Sequence, residues 1–236
     1  MHHSSRRSLT RILAAAVLTL AIPAVAGAQD QDADTSSSIM REYVSARSED
    51  DLRLGMERAR SEEEVATRAI ERARDLRTRT RTRVEIKKAD NEALKKRAEL
   101  AKKEAREGDQ ADLESRRRRG ELERDVLERL VSLYDAEVSE AEARREWERA
   151  TAKVYEAELA LMRKRAERND RAGSASTESS ALVRLNNEAH ELEKKLLEAR
   201  REEASKQASW ADRHKTVIDR EYAVYQEQDK LRGSRR

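Results

Sequence analysis

The residues best equipped for chemistry in this 236-residue chain are arginines. Arg77, Arg79, Arg81 and Arg83 alternate with threonine, and Arg116, Arg117, Arg118 and Arg119 form one unbroken run. A guanidinium is a permanently charged, forked donor that fits carboxylate and phosphate. Both runs are therefore candidate contacts for an anionic partner such as lipid phosphate, an acidic envelope polymer or an acidic protein. Alternation would align the first four on one face of a strand, whereas on a helix they spread around the axis and read as a solvated stretch. The second run lies near an expected helical hairpin, whose tip would present it to partners.

Catalytic and metal chemistry find no such footing. Beyond residue 28 the histidines are His190 and His214, which fall on one expected helix too far apart to meet within a chain. His190 adjoins Ala189 and Leu192 and reads as a residue at the edge of a packing seam. There is no phosphate-binding glycine loop, nucleophile elbow or metal-ligand spacing. Carboxylate pairs occur everywhere on so charged a chain and mark solvated surface. The expectation is a protein that is not an enzyme and uses no cofactor or metal. With no cysteine, neither a disulfide nor a lipid-modified cysteine anchor can form.

The N-terminus carries an address. Arg6, Arg7 and Arg11 precede the apolar run from Ile12 to Ala26, which ends at the small-residue site Ala26-Gly27-Ala28. That order predicts a cleavable signal peptide over 1–28 and a periplasmic or other extracytoplasmic destination. Ser5-Arg6-Arg7-Ser8-Leu9-Thr10-Arg11 resembles the twin-arginine export motif without its usual Phe and Lys, so both export routes stay open. The segment holds three of the 51 basic residues and none of the 48 acids, so the rest of the chain is formally neutral despite a sequence pI of 9.1. Nucleic acid is not an expected partner.

What must position these residues is a set of long helices. The only proline, Pro23, belongs to the signal, and the chain is 42% charged and 3% aromatic, too poor for a wide core but sufficient for a narrow seam. Apolar residues recur at alternating steps of three and four. Leu182, Leu185, Ala189, Leu192, Leu196 and Ala199 form one such seam, from which Ala204, Ala208, Ala211, Ile218, Tyr222 and Tyr225 are expected to drift with a longer period. Leu127, Leu130, Tyr134, Val138 and Ala141 form another, continued by Trp147, Ala150, Val154, Ala157 and Leu161. The first segment is alanine-rich, with Leu52, Met56, Ala59, Ala66, Ile70, Ala73, Leu94, Ala98, Ala101 and Ala105. Acid-first pairs at spacing four, among them Glu64 with Arg68, Glu140 with Arg144 and Glu191 with Lys195, suit exposed helical faces.

Three breaks divide the pattern. The Gly, Ser, Thr and Asn cluster at 169–180 predicts a hairpin loop. Gly108-Asp109-Gln110, reaching toward Gly120, favours a second hairpin over one continuous helix. Ser48-Glu49-Asp50-Asp51 has the makings of a helix cap. The expectation is all-α: an elongated antiparallel helical hairpin or three-helix coiled coil over 39–232, with helices near 39–107, 111–168 and 181–231. A disordered leader is expected over 29–38. Trp147, Trp210, Tyr222 and Tyr225 are expected to fill helix crossings, with a partner-binding patch as the second reading.

The stretch Leu133-Tyr134-Asp135-Ala136-Glu137, Ala141-Glu142-Ala143 and Tyr155-Glu156-Ala157-Glu158-Leu159-Ala160-Leu161 resembles the long periplasmic helices of TolC-like outer-membrane efflux proteins over some 30 residues. The resemblance implies a helical hairpin associated with export machinery. Taken with the address and the seams, the chain is expected to be a non-enzymatic scaffold or spacer of the bacterial envelope, with an efflux-associated hairpin or a holdase chaperone as the alternatives. Its expected partners are further copies of itself or an envelope protein, with peripheral contact to membrane or anionic polymer.

Overall fold

A computed structural model describes residues 47–173 and 179–234, and the expectations for 1–28, 29–38 and 39–46 lie outside them. Three helices follow in order: α1, Glu49–Lys103; α2, Glu107–Ala172; and α3, Ser179–Gly233. The described residues form no strand, and the fold is all-α. Helix α2 packs against both neighbours, while α1 and α3 do not pack along each other. The arrangement is two hairpins sharing a central helix. At 1.5 Å per residue the 66 residues of α2 extend on the order of 100 Å.

Local sequence explains where α1 begins. Ser48 is non-helical and its hydroxyl accepts from the Asp51 amide at 3.1 Å, while the Asp51 carboxylate accepts from the Ser48 amide at 3.1 Å. This reciprocal capping box satisfies two otherwise orphaned donors. The cap overrides the expected start at 39, since residues 47 and 48 are not helical.

The first hairpin turns three residues before Gly108. The Arg106 amide donates to the Ala101 carbonyl at 3.0 Å and the Ala105 amide to that of Lys102 at 3.2 Å, a Schellman closure. Its left-handed position is taken by Ala105, with φ of 54°, and so Ala105 is a turn residue and not part of the seam. Gly108 lies in the first turn of α2, and Gly120 is inside the helix. Since alanine disfavours this conformation, Ala105→Gly is expected to raise stability by about 0.5–1 kcal/mol after the added freedom of the unfolded chain is deducted. Thermal melting checks this, and no gain would mean that the turn relaxes without cost.

The second hairpin is shorter than 169–180: residues 169–172 end α2, and Ser179 and Ser180 begin α3, with 174–178 outside the described residues.

Strict heptads hold the helices together. In α1 the buried residues Leu52, Ala59, Ala66, Ala73 and Thr80 recur every seven positions, followed by Val84, Asn91 and Ala98 at the same step. Ile70 and Ala73 pack with Val138 and Ala141 of α2. The opposite side of α2 packs Val154 and Leu161 with Ala189 and Leu196, and Leu133 with Val217 and Val224. Of the predicted seam, Leu127, Val154, Leu161, Leu185 and Leu196 are buried, while Leu130, Tyr134, Leu182 and Leu192 are half-buried.

Helix α3 departs from expectation after Leu196. Its seam runs on every seven residues through Glu203, Trp210, Val217 and Val224, with no drift. Ile218, Tyr222 and Tyr225 are instead 52%, 65% and 64% exposed. Glu203 occupies a seam position because its carboxylate accepts from the Thr151 hydroxyl at 2.9 Å, a polar substitute that an apolar pattern cannot register.

Candidate functional site

The arginine runs differ in how far the chain already engages them. Arg77 and Arg81, one helical turn apart on α1, both reach Asp135 of α2, at 2.8 and 3.4 Å. Arg79 folds back on Asp75 at 2.8 Å. Arg83 alone of the four makes no ion pair among the described residues. The alternating threonines answer helical needs: Thr80 is buried in the seam, and the hydroxyls of Thr78 and Thr82 donate to the carbonyls of Arg74 and Thr78. Much of this run is therefore interhelical packing.

Arg116 pairs with Asp112 at 2.8 Å and Arg117 with Glu121 at 3.7 Å, both within α2. Arg118 and Arg119 make no ion pair among the described residues. Helix α3 stops at Gly233, a short step beyond Glu227, which faces Arg129 at 4.0 Å. Among the described residues, the α1–α2 hairpin end bearing these arginines therefore has only these two helices beyond about residue 120 of α2. There Gly120 admits the side chain of Asn91, whose Oδ1 would collide with any Cβ at that position. Asn91 is 8% exposed, and its Nδ2 has no hydrogen-bond partner among the described residues. Beside it Arg97, Arg116 and Arg119 border a cavity of about 330 Å³.

Two clusters lie at mid-length, the first between α2 and α3 and the second drawing on all three helices. Trp147 of α2 stacks on Trp210 of α3 with centroids 5.1 Å apart, and Trp210 stacks in turn on His214 at 5.5 Å. His214 Nδ1 lies 2.9 Å from Glu140 Oε1, which replaces the expected Glu140–Arg144 pairing. The tryptophans fill the crossing as expected, whereas Tyr222 and Tyr225 do not. His190 is exposed and lies 3.0 Å from Glu193, while Glu191 pairs with Lys194 rather than Lys195.

The second cluster is acidic. Glu148 of α2 is buried, and burial pushes its carboxyl above the ordinary value of 4.5; Arg144 counteracts this, and Glu62 of α1 and Glu203 of α3 add to it. Folded chains therefore bind a proton here that unfolded chains release, so stability falls as pH rises through 4.5 toward the folded value. Glu148→Gln is expected to raise the melting temperature at pH 7, with the gain fading below the ordinary glutamate value. Equal gains at both pH values would mean that relieved charge is not the cause.

Sequence reasoning missed this cluster because its members come from three helices. Among the described residues no group of three or more His, Cys, Asp or Glu could hold a metal ion, and no helix is long and apolar enough to cross a membrane. Against known proteins, no family model, curated protein or solved structure matches the chain.

Proposed function

We propose that the chain is an exported, non-enzymatic scaffold or spacer of the bacterial cell envelope, acting through contacts between helices and partner proteins. One observation carries the reading: helices of 55, 66 and 55 residues bury only narrow seams, so their length and charged outer faces are what they offer a partner. The arginines and apolar run before Ala28 support export. The α1–α2 hairpin end, where Arg118 and Arg119 make no ion pair among the described residues, is the natural contact point for an acidic partner. On the TolC-like alternative, the resembling stretch would have to serve as the central helix α2, packed on both sides.

The test combines address with length. A tagged chain should fractionate with the periplasm, beginning at Gln29, and replacing Arg6, Arg7 and Arg11 by Ser should retain it in the cytoplasm. A photo-crosslinker at Arg118 should then capture envelope proteins, and matched seven-residue deletions in all three helices should change which are captured. Cytoplasmic retention of the wild type, or capture indifferent to length, would overturn the reading. Recovery as a membrane-bound trimer would favour the efflux-associated hairpin, and suppression of aggregation of an unfolded outer-membrane protein would favour a holdase.

A further inference from the structure

Helix α3 carries a second heptad stripe that nothing among the described residues covers. Ala204, Ala208, Ala211, Lys215, Ile218, Tyr222 and Tyr225 follow one another at steps of four and three, and every one is exposed. The helix has already met its packing need through Val217 and Val224, which are buried with Leu133 of α2. Three large apolar residues in one solvent-facing row are unusual for a chain this polar. A 3.5-residue repeat kept over three heptads matches another helix, because only a helix keeps knobs and holes in step over that distance. The stripe is edged by Asp212, Asp219 and Glu221, none of which has an ion-pair partner among the described residues. Those acids disfavour an anionic membrane surface as the occupant and favour a basic one.

Helix α1 has the complementary face. Val65, Ala69, Arg72, Leu76, Arg79, Arg83 and Ile86 follow the same steps over an equal span, with Ala69 half-buried at the margin of the α1–α2 cluster. Val65, Leu76 and Ile86 are 42%, 42% and 55% exposed. Arg72 and Arg83 have no ion-pair partner among the described residues, and Arg79 is engaged only within its own helix. Arginine stems cover apolar surface while their heads reach for charge. Because α1 and α3 do not pack along each other, one chain cannot join its own two faces. Like faces would oppose acid to acid or Arg to Arg across the contact.

We infer that the α3 stripe of one copy pairs with the basic face of α1 of a second copy. The inference rests on the reading that this protein works through helix–helix contacts, and it names the first such partner. The contact joins unlike surfaces, so it closes only if two copies pair reciprocally or several form a ring; otherwise it propagates.

The test is the mass of the purified full chain by light scattering over a dilution series, beside its helix content by circular dichroism. The expected result is at least twice the single-chain mass, which is 27.1 kDa with residues 1–28 retained and correspondingly less without them, at micromolar concentration. Ile218→Asp with Tyr222→Asp should halve that mass or more with helix content unchanged, since both side chains are exposed. Arg72→Glu with Arg83→Glu should do the same, and adding Asp212→Lys, Asp219→Lys and Glu221→Lys to it should restore association. A wild-type monomer at every concentration would overturn the inference. So would dissociation by the α3 variant but not the α1 variant, which would mean α3 pairs with α3. An exported monomer removes this contact and leaves the scaffold reading standing, whereas an oligomer retained in the cytoplasm does the reverse.

Discussion

Leu161→Ala is expected to lower stability by about 3 kcal/mol, the usual cost of emptying a fully buried leucine site in a core that cannot collapse around it. Leu161 is 1% exposed and packs with Val154, Ala189 and Leu196, with Ala157, Leu192 and Ala199 against the same cluster. Such a seam has no second layer from which a neighbour could move in. For a chain of this length the loss corresponds to about 6–12 °C in melting temperature. Its distribution is the sharper expectation. Helix α3 touches α2 and has no packing along α1, so it can peel away while the α1–α2 hairpin persists. Hydrogen exchange in the variant should therefore quicken throughout α3 and remain slow around Ile70, Ala73, Val138 and Ala141, which form the α1–α2 cluster. Equal loosening of α1 would mean that the three helices unfold as a single unit and that α2 transmits the defect across its width.

The reach of the sequence follows from what periodicity can register. Leu182, Leu185, Leu192 and Leu196 announce their seam because leucine at steps of three and four has one straightforward explanation, and all four lie on the packed side of α3. The same logic fails one heptad after Leu196. Glu203 and Trp210 keep the heptad going with a hydrogen bond and a stacked ring, while Ile218, Tyr222 and Tyr225 supply a more apolar row on the wrong side. A helix with two stripes cannot say which of them its own chain uses. Turn chemistry misleads in a similar way: Gly108 is the residue suited to a left-handed turn, yet Ala105 adopts it because the seam ends at Ala101. Arg77 and Arg81 look free in sequence since their partner, Asp135, is more than fifty positions away. Helix existence is a local property and was legible; interhelical pairing depends on a register that the sequence does not state.

That register has a chemical lock at Glu158, and the second large effect is expected there. Glu158 is 4% exposed on α2 and accepts from Arg47, just ahead of α1, at 3.2 Å and from Arg200 of α3 at 2.5 Å. A carboxylate withdrawn from water needs its partners, and removing one from a buried pair costs about 3–5 kcal/mol in well-enclosed cases. Arg200→Leu should approach the lower end, about 2–3 kcal/mol, because Arg47 remains to share the charge. Arg47, whose side chain is 44% exposed against 29% for Arg200, should cost about 1 kcal/mol when replaced. Glu158→Leu should be the mildest of the three, since both arginines can turn to solvent and an apolar side chain suits the site. The expected order by chemical denaturation is thus Arg200→Leu, then Arg47→Leu, then Glu158→Leu. If Glu158→Leu proves as costly as Arg200→Leu, the triad adds net stability. If the order holds, its value is in register: a one-heptad slip of α3 against α2 would leave Glu158 without Arg200, so the charged triad penalises alignments that the repeating apolar seam alone would tolerate.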